Sequence, residues 1–162
     1  MAQEEKTTEN TATGEKQINV LVQYVKDISF ESPNAPASLM ASDKKPDINV
    51  SVDVLGKKVA DNQYEVELRI GAKAQRGEDV LFISEVNYAG VFKLENVPDN
   101  ELQPLLLIFC PAILFPFSRR IVADLTRDGG FPPLLLDPID FGKLYQQKMQ
   151  EVQKEGESKK KS

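Results

Sequence analysis

Histidine is absent from this 162-residue chain, and cysteine occurs once, at Cys110. Without histidine there is no Ser-His-Asp triad, no imidazole acid–base chemistry and little prospect of a zinc site. A single cysteine cannot close an internal disulfide and leaves no CxxC pair, which points to a reducing compartment. Positive charge is short too: 20 Lys and Arg stand against 25 Asp and Glu. The net charge of −5 repels a phosphate backbone, and no basic stripe with interleaved aromatics is present, so no nucleic-acid partner is expected. Long apolar runs are also missing. The longest, LLLIFCPAILFPF at 105–117, has 13 residues and is interrupted by Pro111 and Pro116. A spanning helix needs about 20 residues. The N-terminal stretch MAQEEKTTENTATGEK is polar and shows no secretory signal. No direct membrane insertion is expected, and the compartment read from these absences is the cytoplasm.

What is present is alternation. Ile18, Val20, Val22, Tyr24, Ile28 and Phe30 share one parity of the segment 18–30, with Leu21 and Val25 as apolar exceptions. The segments 48–54, 63–70 and 80–94 repeat the period of two, which predicts strands with one buried face. SPNAP at 32–36 predicts a turn, and Asp61-Asn62 predicts a hairpin between the second and third strands. After residue 96 the period changes. Phe117, Ile121 and Leu125 recur every four residues beside Val122, which predicts a helix ended by Gly129-Gly130. Pro104, Pro111 and Pro116 are expected to kink or segment what precedes it. Asp137-Pro138 reads as the N-cap and first turn of a last helix, with Phe141, Leu144, Tyr145, Met149 and Val152 on its apolar stripe. Strands followed by helices give an α+β fold: a four-stranded antiparallel sheet with a kinked helix and a C-terminal helix on one face. One domain, 17–152, is expected between disordered tails at 1–16 and 153–162.

If the even parity of each strand is buried, the other face carries Asp27, Glu31, Asp53, Glu65, Glu67 and Glu85, with Arg69, Lys93 and the apolar Ile83. Two readings stay open from the pattern: a solvated face that discourages edge aggregation, or an acidic docking surface with Ile83 as a small anchor. Catalysis by these carboxylates would need burial or pairing that raises a pKa, which an open sheet face does not supply. Cys110, between Phe109 and Pro111, is expected to pack rather than react. No catalytic residue, metal ligand or cofactor is therefore expected. The segment 105–114 is expected in the core. FPF and FPPLLLD are too apolar for ordinary loops, and some of their side chains are expected to line a groove or an interface.

Three stretches, KDISFESPNAP at 26–36, YEVELRI at 64–70 and CPAILFPFSRRIVADLTRDGGFPPLLLDPIDF at 110–141, resemble the SecB family of bacterial protein-export chaperones. The resemblance covers roughly residues 18–150. It implies a homotetramer, a dimer of dimers, that holds unfolded precursor proteins without ATP and passes them to the motor ATPase SecA. Carried over by position, Asp27, Glu31, Ile83 and Glu85 would face a basic segment of SecA. Phe115, Phe117, Phe131, Leu134, Leu136 and Phe141 would line the client groove. The rival is a tetrameric interaction module that uses its apolar segments only to oligomerise.

Overall fold

The computed structural model describes residues 14–160. Strands β1 (Gln17–Glu31), β2 (Asp47–Ala60), β3 (Gln63–Arg76) and β4 (Asp79–Glu95) form one antiparallel sheet in the order β1-β4-β3-β2. Asn62 turns the β2–β3 hairpin with φ 57°, and Gly77 turns the β3–β4 hairpin with φ 64°; both are left-handed conformations that Asn and Gly accept at low cost. SPNAP ends β1, and Asn34 Nδ2 donates to the Val80 carbonyl at 2.9 Å, tying the turn to β4. The predicted tail at 1–16 lies almost wholly outside the described residues, apart from the exposed Gly14–Lys16.

The buried parity is even on β3 and β4: Val66, Leu68, Ile70, Val86 and Phe92 are all within 1% of full burial. On β1 the simple alternation fails. The ladder slips between Val20 and Val22 and again between Val25 and Asp27. Each slip inserts one extra residue and exchanges the two faces. Val22 and Tyr24 therefore stand on the opposite face from Val20 and Ile28, and Gln23 and Val25 take their place on the helix side. The two apolar exceptions, Leu21 and Val25, mark this region: Leu21 is the extra residue and Val25 faces Tyr88.

The prolines do not segment the covering helix. α1 (Asp99–Pro104), a π-helical turn (Leu105–Phe109) and α2 (Cys110–Asp128) continue into one another as a single helix, Asp99–Asp128. Proline lacks the N–H that an α-helical ladder needs, and the wider turn before Pro111 absorbs the mismatch. By length and composition this 30-residue helix is long enough to cross a membrane, so the brevity of the run at 105–117 was no argument against spanning. Its place is against the sheet.

The buried stripe of that helix runs through Leu106, Cys110, Leu114, Ser118, Val122 and Thr126, one every four positions, with Pro111 and Phe115 buried beside it. This is one residue away from the predicted stripe: Phe117 is exposed, and Ile121 and Leu125 are half-buried. Polar Ser118 and Thr126 disguise the true stripe. Each hydroxyl donates to the carbonyl four residues back, at 3.4 Å and 3.0 Å, so both are buried with a partner. Gly90 lies beneath; a Cβ there would stand 3.1 Å from Leu114 Cδ2, which shows how closely helix and sheet approach.

Gly129 and Gly130 end α2 as expected, with Gly130 at φ 87°. The last helix, α3 (Phe141–Lys160), starts later than predicted. Its cap is Asp140, whose Oδ1 accepts from the Lys143 N–H at 3.0 Å; Asp137-Pro138 belongs to the irregular connection. α3 also continues through Lys160, so residues 153–160, read as tail, are helical and exposed. Phe141 is its buried residue, while Val152 is 61% exposed.

Leu114 is fully buried where helix meets sheet. Leu114→Ala is expected to lower the free energy of unfolding by about 3 kcal/mol. The check is a lower urea midpoint at unchanged slope.

Candidate functional site

The outer face of the sheet, opposite the helices, is set by the register. Asp27 faces Asn87, Ser29 faces Glu85, and Glu31 faces Ile83. Asp27, Glu85, Ile83 and Glu31 thus occupy three successive rows of one β1–β4 ladder. Asp27, Glu31 and Glu85 are exposed and Ile83 is half-buried. None of the three carboxylates makes an ion pair among the described residues.

The other acids of this face are already partnered. Lys26 Nζ reaches Glu65 Oε1 and Glu67 Oε2, each at 3.1 Å. Arg69 Nε donates to Glu67 Oε1 at 2.8 Å, and Lys57 Nζ lies 3.5 Å from Glu65. The Tyr24 hydroxyl donates to Glu65, and Lys148 of α3 pairs with Asp53 and donates to the Val54 carbonyl. Glu67 is only 5% exposed, against the expectation of an open carboxylate. The bulge explains the convergence: it turns Tyr24 and Lys26 toward the same side as Glu65 and Glu67.

Electrostatics follow from these contacts. The Tyr24 hydrogen bond, helped by Lys26, holds Glu65 below the usual carboxylate range against the opposing effect of burial. Burial pushes Glu67 up, but the bonds from Arg69 and Lys26 outweigh it and the net shift is down. Burial and the Glu65 charge push Tyr24 up to about 12. A carboxylate held ionised is the reverse of what a general acid needs. Burial alone raises Cys110 to about 12, which keeps it a packed thiol rather than a nucleophile.

The predicted groove residues divide. Phe115, Leu136 and Phe141 are buried in the protomer core, with the Phe115 and Phe141 rings edge-on at 6.1 Å. Phe131 and Leu134 are half-buried in a smaller cluster, where Phe131 meets Phe82 at 5.1 Å and Phe82 stacks on Phe30. Phe117 is 42% exposed and stacks on Tyr88 at 5.8 Å. The six do not form one continuous surface. Loop apolarity located them, but the connection 131–140 buries Leu136 and half-buries Phe131, Leu134 and Ile139. It is held by Thr126 Oγ1, which accepts from the Leu134 N–H, and by Arg119 Nε, which donates to the Leu136 carbonyl.

Open apolar surface lies elsewhere. One exception is a depression of about 520 Å³ between α2 and the connection, walled by the predicted Phe115 with Pro116, Ala123, Leu135 and Pro138, and with Arg119 and Arg120 at its side. Leu135 is 62% exposed. On the helix side of the sheet, Val20, Val25 and Ile28 of β1 and Ile48 and Val50 of β2 are all exposed. Parity in the sequence assigns Val20, Ile28, Ile48 and Val50 to the buried face and leaves Val25 as an exception on the other, so none of them is read there as an open surface. Parity gives the face of a residue but not whether anything covers it.

The family model for the preprotein translocase subunit SecB matches residues 11–152. A protein-export protein SecB of Rhodopseudomonas palustris strain TIE-1 is 53% identical over 141 residues, covering 87% of this chain and 90% of that one. The relative from Azorhizobium caulinodans is 52% identical over 142 residues, covering 88% and 87%. The one from Parvibaculum lavamentivorans is 54% identical over 136 residues, covering 84% and 81%. Among solved structures, a SecB-like chaperone of Mycobacterium tuberculosis, in complex with a ChAD peptide from the HigA1 antitoxin, superposes with a TM-score of 0.63 at 15% identity. It covers 75% of this chain and 90% of that one, and it agrees in fold.

The paired acids give a test. A group whose native pKa is depressed stabilises the fold above its unfolded pKa, about 4.3 for Glu, and loses that contribution as pH falls through the native value. Glu67→Gln is expected to cost about 1 kcal/mol at pH 7. Denaturant titrations of wild type and variant should converge as the pH is taken below about 4.3.

Proposed function

The chain belongs to the SecB family, and from that premise we propose that it is a chaperone of protein export. It holds precursor proteins unfolded without ATP and delivers them to the motor ATPase SecA. The observation that carries the holding reading is the bare apolar surface beside the covering helix: Val20, Val25 and Ile28 on one side, Ile48 and Val50 on the other, with Phe117 and Leu135 exposed. Apolar surface on this scale needs an occupant. Part of it suits a second copy of the chain, in keeping with a homotetramer built as a dimer of dimers. The rest suits the apolar side chains of an unfolded client, bound weakly at each point and tightly by many points together.

Within the groove, Phe117, Phe131 and Leu134 are the predicted members that a client can reach, and Leu135 joins them. Phe115, Leu136 and Phe141 support that surface from the core. The SecA contact is assigned to Asp27, Glu31, Ile83 and Glu85. Three carboxylates without a cation beside an apolar side chain suit a basic segment, and such an attraction is screened by salt. The work is done by binding alone, with no covalent step, in the cytoplasm.

A several-fold excess of the protein should suppress aggregation of a chemically unfolded substrate in the absence of nucleotide, with a solution mass of four chains. A tetramer that leaves aggregation unchanged would instead support the interaction-module reading. Asp27→Lys and Glu85→Lys should each weaken SecA binding by about tenfold, measured by calorimetry, while leaving mass and client holding intact. Unchanged SecA affinity in both would remove the docking assignment.

A further inference from the structure

Two cations stand beside the docking carboxylates and pair with neither. The bulge between Val25 and Asp27 places Lys26 next to Asp27 on the outer face. Yet Lys26 Nζ is directed to Glu65 and Glu67, at 3.1 Å from each. Arg69 faces Asn87, and Asn87 faces Asp27, so the three form one row across the sheet. Arg69 also lines the same shallow depression as Glu85. Its Nε nonetheless donates to Glu67 at 2.8 Å. Both choices converge on one carboxylate, and that carboxylate is the buried one, 5% exposed on a face whose other acids are more open.

We propose that Glu67 is a positioning residue for docking: it holds Arg69 away from Glu85, and so keeps that end of the face negative for a basic partner. The proposal rests on the docking reading given above. Arg69 and Lys26 have the freedom to swing, since their side chains are 48% and 33% exposed. Once Glu67 is neutral, Arg69 loses its ion pair; of the two other carboxylates in its depression, Asp53, which faces it across the ladder, is already paired with Lys148, and Glu85 is the one without a cation. Lys26 keeps Glu65, so Arg69 is the cation that moves. One cation brought beside a docking carboxylate offsets its attraction for the partner by about fivefold in a water-like dielectric. The loss falls chiefly on the association rate, as it does for charges at the rim of an interface.

The test uses the full chain and SecA. Glu67→Gln, which keeps the shape of the side chain, should lower SecA affinity by about fivefold, slow association and flatten its salt dependence, with client holding unchanged. Glu67→Gln combined with Arg69→Met removes the released cation and should restore wild-type affinity. Asp137→Asn, at an exposed acid on the helix side, removes the same unit of charge without freeing Arg69 and should change nothing. The proposal falls if Glu67→Gln binds SecA like wild type while Glu85→Lys weakens it, since docking then stands without this device. It falls equally if the double variant stays as weak as Glu67→Gln, or if Asp137→Asn weakens binding to the same degree. If Glu85→Lys has no effect, the docking reading itself fails and takes this one with it.

Discussion

An α-helix is about 10 Å across and neighbouring strands lie about 4.8 Å apart, so one helix shields two strands and not four. Here Asp99–Asp128 lies over β3 and β4, the central pair. Most of what is buried deeply, including Val66, Leu68, Val86, Phe92, Cys110, Leu114 and Val122, lies in that contact, while Ala74 and Phe82 belong to a second, smaller cluster. The outer strands are covered only in part: Val54 of β2 is buried, but Val20, Val25 and Ile28 of β1 and Ile48 and Val50 of β2 stand exposed on the same side. A protomer built this way has an incomplete core by geometry. In the function proposed above, oligomerisation and client holding both draw on that shortfall, and neither needs a pocket of catalytic groups.

Strand and helix identity was readable because the two periods differ and the chain keeps each one for long stretches. The hairpin at Asp61-Asn62 and the stop at Gly129-Gly130 were readable because only a few residue types tolerate the backbone there. The errors share a physical origin. A bulge changes phase without changing composition, so Val22 and Tyr24 looked like companions of Val20. Ser118 and Thr126 bury hydroxyls by bonding back along their own helix, which moved the apparent stripe by one residue to Phe117, Ile121 and Leu125. Asp140 rather than Asp137 caps α3, because the irregular connection runs on through Ile139 past Pro138. Of the three, the bulge was decided by pairing across the sheet, and the other two by side-chain hydrogen bonds within a helix that composition does not reveal.

The outer face shows the same limit in electrostatic form. Its acids look alike along the chain, yet Glu65 and Glu67 are held ionised by Tyr24, Lys26 and Arg69, while Asp27, Glu31 and Glu85 have no such partner among the described residues. The partners come from other strands, tens of residues away. Parity put all of these acids on one face, and the family resemblance selected four docking positions from it. The distinction between a neutralised acid and an available one appeared only with the register.

The two slips in β1 also set how the sheet ends. An edge strand offers unpaired backbone groups to any extended chain, and bulges spoil that offer by breaking its repeat. β1 is broken twice within the span Val20 to Asp27. β2 keeps a single phase from Asp47 to Lys58, and Lys148 occupies the Val54 carbonyl partway along. The stretch before Val54 therefore joins an unbroken, accessible backbone to the bare side chains of Ile48 and Val50. The molecule is asymmetric in its stickiness: one border is irregular enough to resist indefinite strand-by-strand growth, and the other retains a short length where an unfolded chain can align.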